Sequence, residues 1–242
     1  YREYKKNEVI NKKGINSLIP ENPIIYLHLK GIDKCWSKFK ETNLYSQIKN
    51  LPIKEELKRL FKIKELPVKK GKWNDNLDDL KKREKDILEI IGNDFHLALY
   101  LQEKAEFPEV LLITKTTLRV KLIETLNTLG RKLGGDGGLS SEETYQGRKI
   151  NTIKGISGFL KLHYTSFGNI FVISNTSQMI KKVIDLEGQE TNGKNSLKSD
   201  YMFKHAIHEL PLNRNGTFYL NYKGLPRLLN CLRSIKKENK EV

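Results

Sequence analysis

Cysteine, methionine and tryptophan are scarce in this chain, and long apolar runs are missing. Two cysteines among 242 residues, Cys35 and Cys231, are too few for a disulfide framework or a thiolate metal centre. They read as small, half-buried hydrophobes, one on the first helix after each copy of a repeated strand, and a bridge would require the two copies to lie side by side. No stretch approaches the roughly 18 apolar residues that a membrane span needs. No signal peptide is visible, and the chain opens on Tyr1 rather than Met. Tyr1-Arg2-Glu3-Tyr4-Lys5-Lys6 has the aromatic and basic flavour of residues flanking a membrane helix, and equally that of a frayed terminus.

Reactive signatures are missing too. There is no G-x-S-x-G nucleophile elbow and no pair of carboxylates in an apolar surround. Asp and Glu fall mostly in Lys-rich helices, where they make surface ion pairs. The sequence therefore yields no catalytic residue, no cofactor-binding residue and no metal ligand set, and the chain is expected not to be an enzyme.

Positive charge is abundant. The chain carries 44 Lys and Arg against 29 Asp and Glu, for a net charge of +15. Such an excess admits nucleic acid, anionic lipid or an acidic protein as partner. The excess is mostly Lys spread along the chain, whereas nucleic-acid readers cluster Arg with aromatics between. A solvated Lys-rich surface fits this dispersion. One basic loop, Lys69, Lys70, Lys72 and Trp73, is a candidate contact surface, its alternative being a Trp folded back onto the domain.

One stretch occurs twice. Ile25-Tyr-Leu-His-Leu-Lys-Gly31-Ile32 returns as Phe218-Tyr-Leu-Asn-Tyr-Lys-Gly224-Leu225. Apolar and polar residues alternate in each copy, as a half-buried strand demands, and Gly closes each where the chain bends. The expected organisation is a lead-in over 1–17, an α+β domain over 18–210, and over 211–242 the start of a repeated strand-helix unit packed on the same domain.

Between the copies, a strand over about 23–30 leads to a helix capped by Asp33 and stopped by Pro52. Helices are expected over 53–65 and 76–91, and a long-loop hairpin over Phe95–Leu101 and Glu109–Thr114. A helix beginning at Thr116 or Thr117 runs to the glycines 134–138. Three strands follow, Thr144–Ile153, Gly158–Ser166 and Asn169–Ser174, then helices starting near Gln178 and Tyr201, and a final helix after Pro226. Strands in antiparallel runs separated by helices predict an α+β fold, a twisted antiparallel sheet with helices packed on one face.

Near-miss motifs are weak. Gly188 to Lys194 has the G-x-x-x-x-G-K spacing, but Asn195 replaces the magnesium-binding Ser or Thr and a helix precedes it rather than a strand. His205 and His208 share a helix face without a third ligand. His28, His96 and His163 sit mid-strand on the polar register, where adjacent strands would bring them together on an open sheet face and separate strands would leave three unrelated surface imidazoles.

Several of these segments together resemble a family of bacterial, membrane-anchored extracytoplasmic proteins of unknown function. The likeness rests on Leu18-Ile-Pro20-Glu-Asn-Pro23 entering a strand, Thr42-Asn-Leu-Tyr45, the strand Phe95–Leu101, Glu143-Thr-Tyr-Gln-Gly147-Arg-Lys-Ile150, and Ile170–Ser174 entering a helix that ends Ile184-Asp-Leu-Glu-Gly188. It implies an extracytoplasmic compartment and an α+β fold, and carries over no catalytic residue. The expected function is a non-catalytic interaction or scaffold domain with a protein partner, possible subunit of an envelope complex. The alternatives are a polyanion binder, for nucleic acid or anionic lipid, and a small-ligand carrier.

Overall fold

A computed structural model of the chain describes residues 14–50, 92, 94–102, 107–116, 123–124, 139–154, 161–189, 194–211 and 214–238. The expected helices over 53–65 and 76–91, the Lys69–Trp73 loop and the glycines 134–138 lie outside the described residues.

Eight strands form one antiparallel sheet: β1 Ile25–Lys30, β2 Asp94–Tyr100, β3 Glu109–Lys115, β4 Leu139–Tyr145, β5 Arg148–Lys154, β6 Lys161–Phe167, β7 Ile170–Ser174 and β8 Gly216–Leu220. Their order across the sheet is β4-β5-β6-β7-β3-β2-β1-β8. Five helices whose bounds fall among the described residues accompany them: α1 Ile32–Lys40, α2 Asn43–Asn50, α3 Ser177–Gly188, α4 Tyr201–His208 and α5 Leu225–Glu238. The fold is α+β with an antiparallel sheet, as the strand grouping predicts.

The strands differ from expectation at one hairpin. Residues 144–153 are not a single strand, because Gln146 and Gly147 take φ of 47° and 73° and turn the chain between β4 and β5. Two consecutive left-handed residues make the turn whose twist suits a two-residue hairpin, so the predicted three strands are four. At the other end, α1 is preceded by Gly31 at φ 60°, not capped by Asp33. The continuous stripe expected to reach Pro52 divides at Thr42, whose hydroxyl accepts from the Tyr45 amide (3.2 Å) to start α2.

One sheet face carries Tyr26, Ala98, Leu111, Ile113, Val172, Ile170, Phe167 and Ile150, which join Met179, Ile180, Val183 and Ile184 of α3 in a single core. Each such side chain, fully buried, contributes roughly 1.5–3 kcal/mol. Thr176 starts α3 by accepting from the Met179 amide, and Asp200 starts α4 by accepting from Phe203. On the opposite face Ile153, Tyr164 and Phe171 gather with Leu162, Ile173 and the helical Ile123. Helix contact thus reaches both faces, and both alternate registers of the central strands are apolar.

The two copies of the repeated stretch meet. β1 and β8 pair antiparallel with Tyr26 opposite Tyr219, Ile25 opposite Leu220 and Leu27 opposite Phe218. Each copy leaves its strand through a glycine and enters a helix, α1 or α5. A local two-fold therefore passes between the tyrosines. Phe203 of α4 seats its ring edge-on against both, with centroids 5.3 Å from each. Cys35 on α1 and Cys231 on α5 are not joined in a disulfide.

Candidate functional site

The β2-β1-β8 end of the sheet collects the polar chemistry of the core face. His28 and His96 are directly opposite each other on β1 and β2, and Lys30 is opposite Asp94. Residues two apart on a strand share a face, so Tyr26 and His28 rise beside Asp94 and His96. The imidazoles of His28 and His96 stack with centroids 4.2 Å apart and planes within 9°.

Asp94 holds both rings through one oxygen. Its Oδ1 lies 2.7 Å from His28 Nε2 and 3.1 Å from His96 Nε2. On the far side of His96, Nδ1 is 2.8 Å from the Tyr26 hydroxyl, which in turn lies 2.8 Å from Asn16 Oδ1. The chain Asn16–Tyr26–His96–Asp94–His28 is thus continuous. Asn16 belongs to a segment pinned across the sheet end: Leu197 donates to the Ile19 carbonyl, the Tyr100 hydroxyl donates to the Pro20 carbonyl, and the Asn22 amide donates to Asp200.

Burial grades along this network. The side chain of His96 is 4% exposed, that of His28 14% and that of Asp94 25%, so Asp94 forms the mouth. Burial alone would raise the Asp94 carboxyl, but hydrogen bonds from His28 and His96 outweigh it and hold the group well below the usual carboxylate range. Burial lowers His96 below the ordinary imidazole value, against the pull of Asp94. Tyr26 is pushed up by burial and then by the Asp94 charge. The single Tyr26 proton goes to Asn16 Oδ1, so His96 Nδ1 carries a proton and donates to the Tyr26 oxygen. Among the described residues, His28, Asp94 and His96 are the group whose ligating atoms, all within 4.8 Å of one another, have the composition of a metal site.

The three mid-strand histidines expected on an open face separate into two places. His28 and His96 converge, on the face covered by α3 and α4 rather than an open one. His163 on β6 stands apart, buried, with Nδ1 3.0 Å from Thr152 Oγ1. His205 and His208 are exposed on α4, His205 stacking on Tyr201 and His208 lying 3.3 Å from the adjacent Glu209. Gly188 ends α3, and residues 190–193 of the loop that follows lie outside the described residues, as do Lys69, Lys70, Lys72 and Trp73. Sequence reasoning missed Asp94, Tyr26 and Asn16 as partners of the histidines. The available signal was the Asp-x-His spacing of β2 and the Tyr-x-His spacing of β1, which put each pair on one face.

A second feature adjoins the first. Seven of the eight exposed large apolar side chains among the described residues lie between 201 and 229: Tyr201, Met202, Leu210, Phe218, Leu220, Tyr222 and Leu229. They belong to α4, β8, α5 and their connections. β8 ends the sheet, and among the described residues no strand pairs with it beyond β1.

A family model described as "Protein of unknown function (DUF3352)" matches residues 54–240. No curated protein and no solved structure matches the chain.

Proposed function

The chain belongs to the DUF3352 family of proteins of unknown function, and from that premise we propose that it is a non-catalytic interaction module that receives a protein partner along the free edge of β8. The carrying observation is the concentration of exposed apolar side chains at that edge, Phe218 and Tyr222 being 65% and 67% exposed. An edge strand presents unpaired N–H and C=O groups, and natural proteins normally blunt such an edge with charge or proline. β8 instead reads Gly-Thr-Phe-Tyr-Leu. Strand addition draws affinity from the main chain and specificity from alternate side chains.

The local two-fold indicates the occupant. β1 is flanked by β8 on one side and β2 on the other, and β8 repeats the sequence of β1. The partner is therefore an extended, β2-like segment, apolar at the positions opposite Phe218 and Leu220. Exposed Lys223, three residues past the end of β8, and a net charge of +15, favour acidic residues flanking that segment.

A photoreactive residue at Phe218, with a control at Glu142 on the opposite edge, tests this. Crosslinking to one polypeptide segment from position 218 alone is expected. Binding of that purified partner should then fall at least tenfold in Phe218→Asp. Equal crosslinking from both edges, or products with only lipid, nucleic acid or a second copy of this chain, would overturn the reading. We also place the module outside the cytoplasm and membrane-anchored, in an envelope complex, on the strength of the motif likeness. Protease added outside spheroplasts should digest it, and full protection would refute that placement. Among the described residues no helix is long and apolar enough to cross a membrane.

A further inference from the structure

We infer that His28 Nε2, His96 Nε2 and Asp94 Oδ1 form a binding site for one divalent transition-metal cation of the zinc class. Two imidazoles and one carboxylate are a borderline donor set, suited to zinc, cobalt, nickel or copper rather than to calcium or magnesium, which prefer oxygen cages. The three residues lie on adjacent paired strands, so the backbone fixes their spacing. Tetrahedral zinc, with bonds of about 2.0–2.1 Å, separates its ligand atoms by about 3.3 Å. The present separations of 2.7 and 3.1 Å to Asp94 must open by tenths of an ångström, and the two stacked rings must turn so that both Nε2 lone pairs meet at one point.

The surroundings of His96 are those of a supported ligand. Metal-bound histidine usually donates its other ring N–H to a fixed acceptor, which sets tautomer and orientation. Here Nδ1 faces the Tyr26 hydroxyl, and that hydroxyl can donate onward to Asn16 Oδ1. On binding, Nε2 gives up any proton shared with Asp94, while the Nδ1 proton stays. Nδ1 donates to Tyr26, Tyr26 donates to Asn16, and Nε2 is left to the metal, so no network member loses its partner. Asp94, at the mouth, leaves the remaining coordination position toward solvent. Lys115 and Arg214 act on this network through their charge, one on His96 and the other on Tyr26.

The site is independent of the β8 edge, so either reading can fail alone. The experiment titrates the purified chain with zinc chloride by calorimetry and with cobalt chloride by visible absorption. One zinc per chain is expected, with a cobalt d–d band of four- or five-coordinate intensity. His28→Ala and Asp94→Asn should each weaken binding at least tenfold, and the double change His205→Ala with His208→Ala should not. Metal-free thermal melts establish which variants fold, and Asp94→Asn, nearly isosteric, stands in should His28→Ala fail. Absence of saturable binding, binding undiminished in Asp94→Asn, or binding lost with His205 and His208 would overturn the assignment.

Discussion

Gly92 shows how closely single residues are constrained near the histidine pair. It takes φ 82°, and a Cβ built there would clash with the Lys115 carbonyl oxygen. That carbonyl belongs to the last residue of β3, which pairs with Asp94 at the start of β2. An alanine would have to adopt a left-handed conformation and also push two strand ends apart. The conformation alone costs about 1–2 kcal/mol, and the backbone contact adds to it. Gly92→Ala is therefore expected to lose at least about 2 kcal/mol in urea unfolding, with Asp94 displaced from its two imidazoles. An unchanged denaturation midpoint would contradict this placement of the chain.

Paired strands decide the behaviour of the other buried imidazole. His163 on β6 faces Thr152 on β5 and Ser174 on β7, with Lys161 and Glu143 as the charges acting on it. Burial and then Lys161 lower it below the ordinary imidazole value of about 6.5, while Glu143 pulls the other way. A histidine with a lowered folded value binds its proton more readily in the unfolded chain. Its contribution is complete above about pH 6.5 and is lost as pH falls from there toward the folded value. Stability should thus decline on mild acidification, with a slope of at most about 1.4 kcal/mol per pH unit from this one group. His163→Gln is expected to flatten that slope relative to the parent chain in urea titrations between pH 7 and 5, and identical slopes would refute the role.

The same pairing explains what was legible in the sequence. Alternation located β1, β2, β3, β7 and the two copies of the repeat, because period-two patterning reports strand character directly. It did not say which face is inside. Leu97 and Leu112 line one face while Ala98 and Leu111 line the other, and helical residues touch both, so an imidazole on the less apolar register was still buried. Convergence of His28 with His96 depends on β1 and β2 being neighbours, a long-range fact that no local spacing contains. The missed β4-β5 turn had a local signal, Gln146-Gly147, masked by the continuous alternation on either side.

Across the whole molecule, the sheet order predicts a gradient of stability. β3 and β7 are each paired on both sides and backed by α3, whereas β4 and β8 end the sheet. Pairing β1 with β8 joins residues as far apart as Ile25 and Leu220, so this seam closes the longest loop in the sheet. Local opening should start where fewest pairings must break. Amide exchange is expected to be slowest at Leu111–Thr114 and Ile170–Ser174 and fastest at Gly216–Leu220 and the β4 edge. Occupation of the β8 edge by an added strand changes one end of this gradient only. Its amides would gain acceptors, and by linkage the seam beneath them would open less often. With the purified partner bound, exchange across β8 and β1 should slow while β4 and β5 keep their rates. Protection appearing at β4 instead, or spread evenly over all eight strands, would show that the partner does not dock by strand addition at β8.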